Sequence, residues 1–586
     1  MFKLLRTVGV ILTIALATVT DTLASPFPNS GSLYRDVRDD SLRQTNRLKP
    51  EADTLPSIES GQSQEISAPE IPVTHFVVYG NSILSDDELS DLFAPYSHRT
   101  ITGLELETAM NALRDTYRRN GLFVAQVYLP PQAVEDGVVT LHVYEGTLEE
   151  NGVALANQGD HVKSKMVSSI LEENLVTGEL IRREEFERTI LLVDDLPGIT
   201  SHSAIYPGSE PGEARFLLQT EDTPRVTGNV DLDNFGNYYT GEERLGTTLY
   251  FNSPTKNGDQ LTFRGVTSGS DSNYAFAEYS IPIAGSGLRV GGSADYLDYE
   301  LGEELDNLEL KGDAWSARLF AAYPLIRARH KNVTAHIDYS YLDLNDDDGL
   351  LGDLESERNL HTVTARLYGD HDDDWLASGV TYFDVGTTAG SVDVEGGDAF
   401  ADFDDKNVGT DGSFAKFNVD FSRLQHLTGN WSALARIAGQ WSSTNLDTSQ
   451  KFYLGGPFSN PGYPVGEMSG DHGANLQADV RYDVRSIPWG GDLQLSVFYS
   501  AGWVQLFEDP WDGWQGANPI ISNNLTLYSW GVAASQTWPS GVVLRSSIGR
   551  QIGDNDARNP ITGDATDQSD DDYRAWFQVI YYFGGV

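Results

Sequence analysis

Apolar and polar residues alternate along the C-terminal part of the chain, from about Arg225 to Phe583, with Gly, Asn and Asp turns between short segments. The segment Leu493–Trp503 is the clearest case. Its odd-numbered positions are Leu, Leu, Val, Tyr, Ala and Trp, and its even-numbered positions are Gln, Ser, Phe, Ser and Gly. Successive side chains of a strand point to opposite faces. The pattern therefore predicts strands with one apolar and one mostly polar face.

Tyr and Trp stand at the ends of these apolar faces, which is typical of a transmembrane barrel with an aqueous interior and aromatic girdles. A strand with its connection takes about 22 residues, so residues 224–586 would form roughly 16 strands. The last segment, Phe577–Phe583, has the apolar face expected of a closing strand. We therefore predict a transmembrane antiparallel β-barrel. A soluble β-sandwich also alternates and is the less favoured interpretation.

Two tandem α+β domains are predicted before the barrel, at residues 73–146 and 147–223. In the first, Ser85 and Glu88 form a capping box at a helix start, and Gly121 ends a second helix. The second domain repeats the β-α-α-β-β order. The predicted elements of the first domain are a strand at Val73–Tyr79, a helix at Leu104–Asn120, and strands at Phe123–Leu129 and Val138–Tyr144.

The N-terminus has the features of a secretory signal peptide over residues 1–24. Lys3 and Arg6 precede an apolar run from Val8 to Val19, and cleavage is expected after Ala24. An uncleaved anchor helix is less favoured, because the run is shorter than the ~20 residues of a span. A chain without longer apolar stretches crosses a membrane only as a closed barrel.

Residues 25–72 form a polar segment and linker. Within it, residues 32–49 carry five basic and three acidic residues and few apolar ones, so a helix here would lack an ordinary core face. One interpretation is a plug helix resting in the acidic barrel lumen, where Asp479 and Asp483 are expected to point. The other is a disordered linker.

The formal net charge is −46, which argues against nucleic-acid binding. The chain has no Cys, and it contains no G-x-S-x-G, Walker A or H-E-x-x-H motif, so we expect no enzyme, no cofactor and no metal centre. Acidic runs allow two interpretations: solvated loops, which we favour, or loose divalent-cation binding at a lipopolysaccharide surface. These runs are Asp346–Asp348, Asp372–Asp374, Asp402–Asp405 and Asp570–Asp572.

Four segments of the first domain resemble the first POTRA domain of two-partner secretion transporters of the hemolysin secretion/activation type. They are Phe76–Asn81, Tyr117–Val124, Tyr128–Gln132 and Val143–Gly146. The resemblance implies that Phe76, Tyr79, Tyr117, Phe123 and Tyr128 bind the substrate.

The barrel segment is similar to the same family. Asp233–Gly236 resembles its barrel-entry motif, and Gly455–Gly473 its long loop with a Val-Arg-Gly-Tyr signature. Here Asn460 and Pro461 replace the signature's valine and arginine, and Ser500 replaces an aspartate of the wall. Because the two charged partners are missing together, we expect the loop to enter the lumen and be held by packing and neutral hydrogen bonds. The loop and wall residues concerned are Asn460, Pro461, Gly462, Tyr463, Phe498, Ser500 and Gly502.

The resemblance implies an outer-membrane pore that recognises an unfolded secreted partner through periplasmic POTRA domains and exports it without ATP. The expected partners are one large exoprotein together with outer-membrane lipid and lipopolysaccharide, and the transporter is expected to be monomeric. An outer-membrane protein assembly insertase is the alternative. A passive porin is less favoured, because porins lack POTRA domains.

Overall fold

The computed structural model describes residues 28–45, 70–269, 271–348, 356–396, 398–484, 487–515, 521–555, 557–558 and 564–585. The predicted signal peptide and most of the predicted linker lie outside these residues. None of the helices in the described ranges is long and apolar enough to cross a membrane.

Sixteen antiparallel strands close into one barrel, in which the last strand pairs with the first. The predicted fold class is confirmed. The barrel strands are β9 (Val226–Asp233), β10 (Arg244–Asn252), β11 (Gln260–Thr267), β12 (Ser272–Ile283), β13 (Leu288–Glu300), β14 (Leu310–Arg327), β15 (Lys331–Asp348), β16 (Ser356–Asp373), β17 (Gly379–Gly396), β18 (Gly412–Thr428), β19 (Trp431–Ser442), β22 (His472–Val484), β23 (Asp492–Gln505), β24 (Asn524–Thr537), β25 (Val542–Gln551) and β26 (Tyr573–Phe583).

The two faces of the barrel wall follow the alternation of the sequence. On β23, Val497 is 55% exposed on the outside, whereas its neighbours Phe498 and Ser500 are 4% and 0% exposed on the inside. The long connection between β19 and β22 carries two short paired strands, β20 (Phe452–Leu454) and β21 (Met468–Gly470).

The first α+β domain has a three-stranded sheet with β5 (Val138–Tyr144) in the middle and β2 (His75–Tyr79) and β4 (Gln126–Tyr128) at its edges. The capping box at Ser85 is present, and the helix that Gly121 ends is confirmed. The predicted strand at Phe123–Leu129 is shorter, because only Gln126–Tyr128 pairs with β5. The elements are β1 (Ile71–Val73), β2 (His75–Tyr79), α2 (Asp86–Phe93), β3 (Arg99–Ile101), α3 (Gly103–Arg119), β4 (Gln126–Tyr128) and β5 (Val138–Tyr144).

The second α+β domain has the order β-α-α-β-β and ends directly before β9. Its sheet is formed by β6 (Thr147–Asn157), β7 (Ile199–Pro207) and β8 (Glu213–Asp222) in the order β6-β8-β7. Two amphipathic helices bury residues such as Val167 and Phe186 against it. The elements are β6 (Thr147–Asn157), α4 (Ser164–Asn174), α5 (Arg183–Asp194), β7 (Ile199–Pro207) and β8 (Glu213–Asp222).

One further helix, α1 (Ser30–Thr45), precedes these domains in sequence but lies inside the barrel. It overlaps the predicted residues 32–49 and begins two residues earlier. Residues 46–49 lie outside the described residues. A short helix, α6 (Asp398–Phe403), lies in the connection between β17 and β18.

Candidate functional site

The N-terminus of α1 is fixed at the barrel end opposite to the α+β domains. The backbone N–H of Ser30 donates to Asp346 Oδ1 at 2.7 Å. Arg358 donates to Ser30 Oγ at 2.9 Å and to Asp447 Oδ2 at 2.8 Å, and it also pairs with Asp346. Because Arg358 is only 1% exposed and Asp447 belongs to the long connection, one buried cation joins helix, loop and wall.

Further along, α1 is held by buried polar contacts with the first barrel strands. Asp40 accepts from Arg244 at 2.8 Å, and Arg244 also pairs with Asp233 at 2.9 Å. Ser41 Oγ accepts from Arg264 Nε at 3.1 Å. Here an acid of the helix meets a basic wall residue, which is the reverse of the charge pattern expected from the sequence. Removing one member of such a buried pair is costly, because the other charge stays buried.

Apolar packing also holds α1, although the sequence suggested no core face. Leu33 and Tyr34 are 3% and 1% exposed and join an apolar cluster of the lumen that includes Tyr274. The two acids expected near the helix have other partners: Asp479 pairs with Arg481 at 3.0 Å, and Asp483 accepts from Gln494. The helix therefore lies in the half of the lumen that is away from the α+β domains, and not against β22.

The long connection between β19 and β22 enters the lumen. At Asn460 and Ser500 it is held to the wall by neutral hydrogen bonds and not by an ion pair. Asn460 Nδ2 donates to Ser500 Oγ at 2.8 Å, and Ser500 Oγ donates to the Ser459 carbonyl at 2.8 Å. Tyr463 donates to the Tyr528 carbonyl at 3.1 Å. The residue that meets Ser500 is thus Asn460, in the valine position of the family signature, and not Pro461.

The other loop residues pack against the neighbouring strands. The Pro461 carbonyl accepts from Trp576 Nε1 on β26 at 2.7 Å. A Cβ atom on Gly462 would approach the backbone of Arg550 to 2.9 Å, and one on Gly502 would approach Leu454 to 2.6 Å. Gly462 is therefore required by the close approach of the loop to the wall backbone, whereas a side chain at position 502 would displace the side chains of Leu454 and Asn460.

Three rings form a row across the outer face of the first domain's sheet. Tyr79 and Tyr128, two of the residues predicted to bind substrate, both lie directly opposite His142 on the central strand. They are 58% and 45% exposed. The sequence did not single out His142, whose position becomes informative only when the strand register is known. Phe76 lies on the other face and stacks on Phe93 at 4.4 Å.

The remaining two predicted binding residues are buried. Tyr117 is 0% exposed and donates to Asn81 Oδ1 at 2.6 Å, so it fixes the turn after β2. Phe123 is 8% exposed and lies in the core of the second domain, 5.4 Å from Phe186. A partner reaches neither side chain on the folded surface. Phe123 instead links the two domains.

The second domain is docked on the barrel turns that adjoin it. Arg188 donates to the carbonyls of Pro324 and Ser286 at 2.9 and 3.1 Å, and Arg327 pairs with Asp195 at 2.9 Å. Lys256 pairs with Asp160 at 3.0 Å, and this hydrogen bond lowers the pKa of the Asp160 carboxyl. These contacts span three turns, so the domain is fixed at this mouth of the barrel.

Within the described ranges, one cluster has the spacing of metal ligands: Asp160, His161 and Asp222. Its carboxylates already serve the domain–barrel junction, because Asp222 accepts from the backbone N–H groups of residues 160 and 161 at 3.0 Å. The acidic run Asp372–Asp374 lies at the turn between β16 and β17, on the side of the α+β domains. Cation binding at a lipopolysaccharide surface therefore does not apply to that run.

A closed barrel with an internal helix and loop, and with two tandem α+β domains at one mouth, defines an outer-membrane β-barrel transporter with periplasmic POTRA domains. The family described as haemolysin secretion/activation protein ShlB/FhaC/HecB matches residues 212–517, and the ShlB-type POTRA domain matches residues 71–146. The chain belongs to this family of two-partner secretion transporters.

Relatives cover nearly the whole chain. The heme/hemopexin transporter protein HuxB of Haemophilus influenzae is 26% identical over 90% of this chain and 92% of its own length. The outer membrane transporter CdiB of Escherichia coli is 25% identical over 87% of this chain and 84% of its own. The structure of CdiB from Escherichia coli shares the fold, with a TM-score of 0.67, 20% identity and coverage of 94% and 96% of the two chains.

Proposed function

We propose that this chain exports one large secreted partner protein across the outer membrane, and that it recognises the partner in an unfolded form. The observation that carries the proposal is the pair of elements inside the barrel. Helix α1 and the long loop lie in the lumen, and both are held to its wall by side-chain hydrogen bonds, ion pairs and apolar packing rather than by pairing with a barrel strand. Elements held in this way can leave the lumen while the barrel stays closed, as export of a chain through the barrel requires.

Recognition is assigned to the first POTRA domain. The strands β2 and β4 are the edges of its sheet, and an extended segment can add to such an edge through backbone hydrogen bonds. Tyr79, His142 and Tyr128 form an exposed row beside both edges, which provides apolar contact for alternate side chains of that segment. A folded partner offers few free backbone groups, so this mode favours an unfolded one.

Energy for transport is assigned to folding of the partner outside the cell, because the periplasm contains no ATP and no nucleotide-binding motif occurs in the sequence. The transporter acts as a monomer, with its apolar outer band in contact with lipid. By its name, the relative HuxB is a heme/hemopexin transporter. The cargo of this chain is expected to be a large exoprotein, for which the adjacent reading frame is the first candidate.

The test is secretion of that exoprotein in cells. The full chain should release it to the surface, whereas a variant that lacks residues 73–222 should form a barrel that exports nothing. Assembly of the truncated barrel is checked by its heat-dependent shift on gels. Normal secretion by the truncated chain would contradict recognition by the POTRA domains. If instead the levels of other outer-membrane barrel proteins fall in cells that carry only the variant without residues 73–222, the insertase alternative is supported.

A further inference from the structure

Four lumen-facing side chains on β16, β17, β18 and β19 form two ion pairs in the middle of the barrel wall. Even-numbered residues of these strands face the lumen, because odd-numbered neighbours such as Leu367 are exposed on the outside. Arg366 on β16 lies 3.6 Å from Asp384 on β17, and Arg436 on β19 pairs with Asp420 on β18. These four charged residues are named the balanced quartet.

The balanced quartet is arranged as a mirror across the β17–β18 pair. Asp384 and Asp420 lie directly opposite each other, and like charges in that position destabilise a strand pair. Each acid is matched by an arginine on the strand at its other side. The order across the four strands is therefore Arg, Asp, Asp, Arg. Two cations cancel two anions, in a chain whose net charge is −46.

Neither lumenal element covers the balanced quartet. Within the described residues, its side-chain hydrogen bonds and ion pairs join its own members, and none reaches α1 or the long loop. Helix α1 contacts β10, β11, β13–β15 and the end of β16 that is away from the α+β domains. Residues 459–463 of the long loop contact β23–β26. Since its side chains are 33–41% exposed, the quartet faces open lumen.

Other charged side chains on the lumenal face of these strands lie toward the two ends of the wall. Away from the α+β domains, Arg358 pairs with Asp447, and Lys416 donates to the Gln450 carbonyl at 2.8 Å. Both of these cations are therefore held by the long connection. The quartet is the part of this wall whose charges are matched and half-exposed at the same time.

Matched charges change how this wall acts on a passing segment. Surplus charge along a narrow lumen attracts segments of the opposite sign and repels those of the same sign. Matched pairs cancel at distances beyond their own separation, so the wall favours neither sign. Each guanidinium can still donate to a backbone carbonyl of an extended chain, and each carboxylate can accept from a backbone N–H. Half-exposed ion pairs contribute little to stability, so the barrel should assemble without them.

We infer that the exported chain slides along the balanced quartet, and that the matched charges let acidic and basic segments pass at similar rates. This inference rests on the proposed export of an unfolded partner. It adds the side of the lumen that the partner follows and the residues that it meets there.

Disulfide trapping tests the route. The native chain has no Cys, so Ser422→Cys, on β18 directly opposite Arg436, is a selective probe beside the quartet. The matched control is Ser535→Cys on β24, directly opposite Gln494 on another part of the lumenal wall. Exoprotein that carries one Cys and is stalled by a folded C-terminal domain should form a disulfide with Ser422→Cys several times faster than with Ser535→Cys. Equal trapping, or faster trapping by Ser535→Cys, would overturn the route.

Charge substitutions test the effect of the balance. Arg366→Gln with Arg436→Gln leaves two surplus carboxylates, and Asp384→Asn with Asp420→Asn leaves two surplus guanidinium groups. Export is compared for two versions of the exoprotein, one with a Glu-rich insert and one with a Lys-rich insert. The first variant should slow the Glu-rich version relative to the Lys-rich one by about fivefold, since a unit charge near another in water changes a barrier by about that factor. The second variant should do the reverse.

The matched control is Lys311→Gln with Arg550→Gln, which removes the same charge from the outer face of the barrel. It should leave the ratio of the two exports unchanged. Misassembly of a barrel lowers the export of both versions, so the ratio reports the charge of the lumen alone. A ratio that stays at the wild-type value in both quartet variants would overturn the inference. Failure of the wild-type chain to export either version would instead contradict the proposed function.

Discussion

The neutral hydrogen bonds between the long loop and the barrel wall predict how much a single substitution at Ser500 destabilises the barrel. Ser500→Ala removes two buried hydrogen bonds, one from Asn460 and one to the Ser459 carbonyl, each 2.8 Å long. At about 1–1.5 kcal/mol per bond, the loss is about 2–3 kcal/mol. For a large domain about 2 °C corresponds to each kcal/mol, so the temperature of the heat-dependent gel shift should fall by about 4–6 °C. Ser496→Ala, on the lumenal face of the same strand, is the control.

Charge substitutions at the same place test which loop residue meets the wall. Ser500→Asp alone places an unmatched carboxylate in a buried site and should cost roughly 3–5 kcal/mol. Adding Asn460→Arg should restore most of the loss, because residue 460 is within hydrogen-bond distance. Adding Pro461→Arg should restore less, since the backbone of residue 461 is held by Trp576. Equal rescue by both arginines would refute this position of the loop.

Three further predictions follow from the contacts that hold the helix and the domains. Arg244→Ala removes the cation that pairs with Asp40 and Asp233 and should destabilise the lumenal position of α1 by about 3–5 kcal/mol. The single-channel conductance should therefore rise, whereas the control Arg481→Ala should leave the conductance unchanged. Phe123→Ala should destabilise the junction of the POTRA domains by about 3–5 kcal/mol, measured as faster proteolysis between them; Tyr79→Ala, at an exposed ring, should lower partner binding without this effect. The lowered pKa of Asp160 means that its pairing with Lys256 contributes fully above the unfolded pKa and is lost as pH falls through the folded one. The protection of the amides in the turn 253–259, taken as the intrinsic exchange rate divided by the observed rate at each pH, should therefore be constant from about pH 8 to 5 and fall only below about pH 4.

Local patterns predicted the strands, their faces and the capping box, because these depend on neighbours in sequence. Val497 and Ser500 point to opposite sides of the wall, as the alternation of β23 predicts. The joint loss of arginine and aspartate also predicted a loop held by neutral contacts. What the sequence did not indicate depends on distant partners. The sequence predicts only that Phe123 lies in a strand, and its contact with Phe186 is known from the fold alone. Asp40 and Arg244 form an ion pair although they lie 204 positions apart in the chain.

Transport by the purified protein tests the central claim most directly. Proteoliposomes with the POTRA domains outward would receive the urea-unfolded exoprotein, with no nucleotide present, and the fraction that becomes protected from added protease would be measured. We expect protected exoprotein with the full chain, and none with a variant that lacks residues 73–222 or with exoprotein folded in advance. Protection that requires ATP, or that is equal in the truncated variant, would contradict export of an unfolded partner through a POTRA-fed pore.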